Sequence, residues 1–160
     1  MTKWMVTLVL GLALSTQHAQ ARRLGNVEQG YWFDAPEHWS LAHPDFTMIS
    51  TSGASLSESF IPPQDAPSLQ QISKTAGMIA LIGADYQETR ENFSLQGEDW
   101  NAMVTVFIEP RRTQKPQRHV LQMVTEHQGR FRLFYLAVPS QEWLQGPESV
   151  RQLLLALRFE

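Results

Sequence analysis

The chain has 160 residues and holds 13 lysines and arginines against 16 aspartates and glutamates, a formal net charge of −3. This balance disfavours a nucleic-acid-binding protein, because such proteins usually present a basic face to the phosphates. The absence of cysteine excludes a disulfide framework and a cysteine-linked lipid anchor, so an apolar core has to supply the stability.

The first 21 residues have the three parts of a secretory signal. Lys3 provides the positive charge, residues 4–14 form an apolar run, and Ala19-Gln20-Ala21 is an A-x-A cleavage site. A retained membrane anchor would need about 20 apolar residues, which this run lacks. We therefore expect cleavage after Ala21, export to a bacterial periplasm, and one globular domain over residues 22–160. Loss of Lys3 takes the formal charge to −4.

The first half of this domain contains signals for strands and then for a helix. Residues 30–35 are β-prone, and residues 46–51 and 54–61 are predicted to be the arms of a hairpin about Ser52-Gly53. A helix is predicted from Ser68, as N-cap, to Gly83 at the C-terminal end. Its apolar residues recur at spacings of three and four, which predicts one buried face formed by Leu69, Ile72, Ala76, Ile79 and Ile82.

The second half favours two hairpins and a final helix. Residues 86–95 and 100–109 are joined by the turn sequence at 96–99, and residues 118–126 and 130–138 are joined at Gln128-Gly129. Residues 147–157 are predicted to be helical, with Pro147 in the first turn, where its missing N–H costs nothing.

Two of these strands are apolar on both faces. In residues 130–138 one face carries Leu133 and Tyr135 while the other carries Phe134 and Leu136, and residues 100–108 repeat the pattern. A sheet with such middle strands has to be covered on both sides. The sequence therefore predicts an α+β fold, a three-layer α/β/α sandwich around a mainly antiparallel sheet.

The same order of elements resembles the PsbP-like and DcrB-like group of proteins. The resemblance rests on YWFDAPEHW at residues 31–39, LQMV at 121–124, FRLFY at 131–135 and ALRF at 156–159, and it covers residues 27–159. It implies the α/β/α sandwich fold and a role in binding other proteins, without a shared catalytic site. No functional residue is carried over from it.

A cationic loop is the sharpest local departure from the acidic composition. Four cations stand within eight residues, bracketed by Pro110 and Pro116: Arg111, Arg112, Lys115 and Arg118. We expect them either to dock an acidic partner or lipid headgroups, or to be an ordinary solvated loop. Trp143, between the last strand and the last helix, is expected to be partly exposed and to join the partner-binding surface.

Catalytic and metal motifs are missing from the sequence. His119 and His127 are an even number of residues apart on one strand, and Glu126 adjoins His127, but no third ligand is evident. The acids Asp85, Glu88, Glu91, Glu98 and Asp99 match neither a calcium loop nor a glycosidase pair, and are expected on a solvated sheet edge. We therefore predict no catalytic residue, metal or cofactor.

These observations favour a periplasmic, non-catalytic domain that binds a protein of the cell envelope, with at most peripheral membrane contact and no nucleic acid. One version is an immunity protein that neutralises an envelope-targeted toxin, and another is an envelope assembly or maintenance factor. The rivals are a hydrolase or metal-dependent enzyme built from Glu98, Asp99, His119 or His127, and a carrier of a small apolar ligand. Such a carrier would have an apolar cavity between sheet and helix.

The signal assignment predicts the mature N-terminus. Because Ala19 and Ala21 fit the small pockets of the signal peptidase, the secreted protein should begin at Arg22. N-terminal sequencing of the protein recovered from the cell envelope tests this. A chain that still begins at Met1 and sediments with membranes would contradict it.

Overall fold

The computed structural model describes residues 21–42, 47–61, 68–110 and 116–160, so the apolar core of the predicted signal lies outside it. Within these ranges the chain is α+β. The strands are β1 (Arg22–Asn26), β2 (Tyr31–Ala35), β3 (Trp39–Ala42), β4 (Thr47–Ser50), β5 (Ser55–Ser59), β6 (Gln87–Gln96), β7 (Asn101–Glu109), β8 (Arg118–His127), β9 (Arg130–Pro139) and β10 (Leu157–Phe159). The helices are α1 (Leu69–Gly83), α2 (Ser140–Gln145) and α3 (Pro147–Leu155).

Seven strands form one antiparallel sheet in the order β3-β4-β5-β9-β8-β7-β6. The predicted hairpins β4–β5, β6–β7 and β8–β9 are confirmed. The last of them turns at Gln128 and Gly129, whose φ angles of 50° and 76° lie in the left-handed region that a tight two-residue hairpin turn requires.

A second antiparallel sheet has the order β1-β2-β10. Only β2 was predicted. Strand β10 falls where the sequence favoured the end of the final helix, because α3 stops at Leu155 and the chain turns at Ala156 to pair with β2. Strand β1 has no alternating pattern of its own and is ordered by pairing with β2.

The small sheet packs against one face of the large sheet, which we call the small-sheet face. Phe134 of β9 meets the rings of Tyr31 and Phe33 edge to face, at centroid distances of 5.1 and 5.6 Å. Leu154 of α3 and Leu157 of β10 are fully buried in the same cluster. Aromatic and aliphatic side chains of both sheets thus form the larger core.

Helix α1 covers the other face, which we call the helix face. Ile72 and Ala76 pack with Val124 and Leu133, and Ala80 packs in a neighbouring cluster of buried residues with Phe107, Val120 and Ala137. The Ser68 hydroxyl accepts a hydrogen bond from the Gln71 N–H, as an N-cap should.

The coarser part of the fold prediction is confirmed and the finer part is not. The chain is α+β and its sheets are antiparallel, but the layer on the small-sheet face is mixed. It consists of a three-stranded sheet together with α2 and α3. The predicted helical layer is therefore present on the helix face only. On the small-sheet face the short strands β1 and β10 pair with β2, and this sheet covers much of that face.

The predicted buried face of α1 is partly wrong. The buried residues are Ile72, Ser73, Ala76 and Ala80, while Ile79 is 49% and Ile82 82% exposed. Each step of three residues falls about 60° short of a full helical turn, so two such steps carry Ile82 about 120° around the helix from Ala76. The apolar series thus leaves the sheet and reaches solvent.

Leucines on the two faces test this packing. Leu133 on the helix face and Leu153 on the small-sheet face are 3% and 6% exposed, so Leu133→Ala and Leu153→Ala should each lower the free energy of unfolding by about 2–5 kcal/mol. The matched control is Leu144→Ala, at a leucine 73% exposed, which should change it by less than about 0.5 kcal/mol. Denaturant melts measure all three, and equal effects at the three positions would contradict the packing.

Candidate functional site

Three of the four cations predicted to bind a partner lie outside the described residues: Arg111, Arg112 and Lys115. The fourth, Arg118, begins β8 opposite Glu109 of β7. Its Nε atom donates a hydrogen bond to Glu109 Oε2 at 2.6 Å, and both side chains are largely buried. The charge of Arg118 is therefore balanced within the sheet, and a partner would compete with Glu109 for it.

Trp143 is buried, which corrects the expectation of an exposed ring. It is 3% exposed, on α2, and its ring stacks on that of His119 at a centroid distance of 6.0 Å. Trp39 and Trp100 are also buried, and the Trp100 indole N–H donates to the Leu157 carbonyl at 3.1 Å. Exposure was expected for Trp143 alone, and all three indoles fill the core at the ends of their elements.

The two histidines of β8 lie on one face of the strand, as their spacing predicted, but at its opposite ends. The His119 Nδ1 and Ser140 Oγ atoms are hydrogen-bonded at 2.9 Å, and His127 Nε2 pairs with Asp99 Oδ2 at 2.9 Å. Eight residues of strand separate the imidazoles by roughly 26 Å. The serine, the histidines and the carboxylate therefore form two separate pairs and cannot act as one catalytic triad.

The acids of the β6–β7 hairpin do not converge either. Strand β6 is the edge of the large sheet, with Glu88 and Glu91 in its first half and Glu98 and Asp99 in the turn after it. Among the described residues, no group of three His, Cys, Asp or Glu side chains is close enough to hold a metal ion. A solvated edge strand is also where charge discourages pairing with another chain.

An ionic cluster ties the small sheet to the large one. Glu58 of β5 accepts hydrogen bonds from the Tyr31 hydroxyl at 2.9 Å and from Arg132 Nη1 at 2.7 Å. The Arg132 guanidinium also lies over the Tyr31 ring, 5.0 Å from its centroid, and donates to the Gln29 carbonyl. Burial, together with the Glu58 carboxylate, raises the pKa of Tyr31. These partners are all internal, so the cluster is an element of the fold.

The outer side of α1 is the surface that the sequence did not predict. Met78, Ile79 and Ile82 are 53%, 49% and 82% exposed and are neighbours on the helix, at spacings of three and four residues. We call these three residues the α1 surface. Surface helices normally turn charged residues to solvent, yet Lys74 is the one charged residue of α1. This cluster of exposed aliphatic residues on a helix so poor in charge makes the α1 surface a candidate contact site.

His119 should make the stability depend on pH. Burial lowers its pKa from the usual 6.5, and Glu91 opposes this in part. Below about pH 6.5 the unfolded chain binds a proton that the folded protein resists, so the free energy of unfolding should fall as the pH drops through 6.5 towards the lower folded pKa.

Melts of the wild type and of His119→Gln between pH 7.5 and about pH 5 measure this effect. The variant should lose part of the slope, which for one proton is at most about 1.4 kcal/mol per pH unit. Parallel curves for the two proteins would show that His119 is not the group responsible.

No membrane-spanning helix is found: within the described residues, none of the helices has the length and apolarity to cross a bilayer.

No protein-family model matches the sequence, and neither does any curated protein. The fold, however, is similar to a solved structure, the solution structure of cyanobacterial PsbP (CyanoP) from Synechocystis sp. PCC 6803. The TM-score is 0.61 at 15% sequence identity, over 94% of this chain and 99% of that one. At this identity the likeness establishes the fold alone. The chain therefore has a PsbP-like fold.

Proposed function

We propose that this protein is a non-catalytic, protein-binding domain of the bacterial periplasm, and that it contacts its partner through the α1 surface. The exposed side chains of Met78, Ile79 and Ile82 carry the proposal. Burying aliphatic side chains of this size against a partner releases about 1.5–3 kcal/mol each, before the costs of association. The three exposed side chains together provide the apolar centre of a binding site.

The occupant that fits this surface is a protein rather than a lipid bilayer. Helices that lie on membranes combine an apolar face with many lysines and arginines, which meet anionic headgroups. Helix α1 has one lysine and no arginine. Because α1 itself carries so little positive charge, its apolar patch matches the desolvated centre of a protein interface, where charged residues are depleted.

The separation of the polar pairs also supports a binding role over hydrolysis. His119 with Ser140 and His127 with Asp99 stand at opposite ends of β8, each satisfied by its own partner. The PsbP-like fold supports the same reading, since the resemblance drawn from the sequence implies protein binding. Periplasmic location rests on the signal sequence before Arg22.

Site-specific photo-crosslinking in the periplasm tests the proposed surface. A photoreactive residue at Ile82 should give an adduct with one envelope protein, whereas the same residue at the matched exposed position Leu144 should not. Mass spectrometry of the adduct then separates an immunity role, in which the partner is a toxin, from an assembly role, in which it is an envelope component.

Affinity measurements with the captured partner complete the test. The double variant Ile79→Ser/Ile82→Ser should bind at least about tenfold more weakly, because it removes two apolar anchors. Its melt should be unchanged, since both side chains are exposed. Leu144→Ser is the control and should retain the affinity of the wild type.

The cationic loop provides a second arm of the same experiment. If Arg111, Arg112 and Lys115 help to attract the partner, replacing all three by Ser should chiefly lower the on-rate and its dependence on salt.

Two results together would refute the α1 surface as the contact site. They are unchanged partner affinity in the Ile79→Ser/Ile82→Ser variant and crosslinked adducts of equal yield at Ile82 and Leu144.

A further inference from the structure

A small cavity opens into the core on the small-sheet face, away from the α1 surface. Its volume is about 130 Å³. The floor consists of aliphatic residues of β9 and α3 and one indole of β3, each 6% exposed or less: Trp39, Leu136, Val138, Val150 and Leu153. The space is partly open to solvent, so it is an apolar pocket that a small molecule can enter from outside.

The size and lining of the cavity define what fits inside it. A cavity of about 150 Å³ lined by leucine, isoleucine and phenylalanine, engineered into another protein, stays dry and takes up benzene. The cavity described here is slightly smaller and its floor is similarly apolar, with two leucines and two valines, but it is partly open and polar residues stand at its edge. Water gains no hydrogen bonds from such a floor, whereas one six-membered ring has the right volume and makes dispersion contacts with it.

The mouth of the cavity has a different chemistry. It is bordered by Glu142 of α2, with His38 and Ser149 close by. The Glu142 carboxylate is held in place, because Ser52 Oγ donates to its Oε2 atom at 2.8 Å and Ser50 and Ser52 are hydrogen-bonded at 2.7 Å. A carboxylate has about four acceptor positions, so the bond from Ser52 leaves capacity for a second donor.

We propose that this cavity binds a small aromatic ammonium compound, with the ring on the apolar floor and the ammonium group on Glu142. An anionic ring compound would place its charge against this carboxylate and is excluded by repulsion. A neutral ring compound would contact the apolar floor but would offer the Glu142 carboxylate no positive charge. The site therefore selects a cation of aromatic size.

Benzylamine is a suitable probe, with toluene as its neutral analogue and benzoate as its anionic one. Titration of the mature protein followed by NMR should show benzylamine shifting the methyl signals of Val138, Val150 and Leu153. Benzylamine should bind about tenfold more tightly than toluene, the usual worth of a hydrogen bond to a charged group. Benzoate should not shift these signals.

Two variants locate the site. Glu142→Gln should lower the affinity for benzylamine to that for toluene, whereas Glu148→Gln, a matched change at an exposed glutamate of α3, should leave it unaltered. Val150→Leu adds a methylene group to the floor of the cavity and should lower the affinity for both benzylamine and toluene. If Val150→Leu does not fold, the Glu142→Gln and Glu148→Gln comparison decides alone.

Three results would overturn the proposal. They are the absence of methyl shifts with benzylamine, equal affinity for benzylamine and toluene, and equal effects of Glu142→Gln and Glu148→Gln. Since α1 lies on the other face of the sheet, crosslinking at Ile82 is unaffected by any of these changes, so the cavity and the α1 surface succeed or fail separately.

Discussion

Strands β7, β8 and β9 are largely buried on both faces, and the rest of the architecture depends on covering them. Seven strands about 4.8 Å apart span roughly 29 Å, whereas a helix is about 10 Å wide, so α1 alone can cover only the middle of the helix face. The flanking strands are polar there, with Ser57 on β5 and Ser94 on β6. Apolar residues thus occur where a cover exists, and polar ones where solvent reaches the sheet.

The elements whose apolar residues recur with a clear periodicity in the sequence were predictable, and the elements without such a periodicity were not. The alternation in β7 and β9, the turn at Gln128-Gly129 and the Ser68 N-cap are local signals, and each matches the structure. Strands β1 and β10 are five and three residues long and exist because β2 lies between them, a long-range pairing that no local pattern encodes. The exposure of Ile79 and Ile82 was missed for a similar reason, since residues 76–83 of α1 are apolar all round and only the sheet decides which side of them is buried.

Polar residues inside the domain act as ties between elements rather than as a reactive centre. Gln122 is fully buried beneath α1, where it donates to the Ser73 carbonyl at 3.1 Å and accepts from the Tyr135 hydroxyl at 3.2 Å. Burial raises the pKa of Tyr135 to about 12, so the hydroxyl stays protonated and remains a donor at physiological pH. Gln122, Tyr135, His119 and His127 are each paired within the fold, so the two histidines are held apart and do not converge on one reactive centre.

The two candidate binding features follow from the two ways in which the sheet is covered. On the helix face the cover is a single element. Within the part of the chain that the structure describes, nothing packs on the outer side of α1, and apolar residues there are exposed. On the small-sheet face the cover is assembled from β2, β10, α2 and α3. Several separate elements leave space where they meet, and the cavity beside Glu142 lies where β3, β9 and α3 come together.

The apolar sheet between the two faces is close-packed. A ligand bound on one face can therefore influence the other face only through a change in the sheet itself. Recognition of a protein on α1 and of a small cation on the opposite face are therefore compatible in one domain of this size.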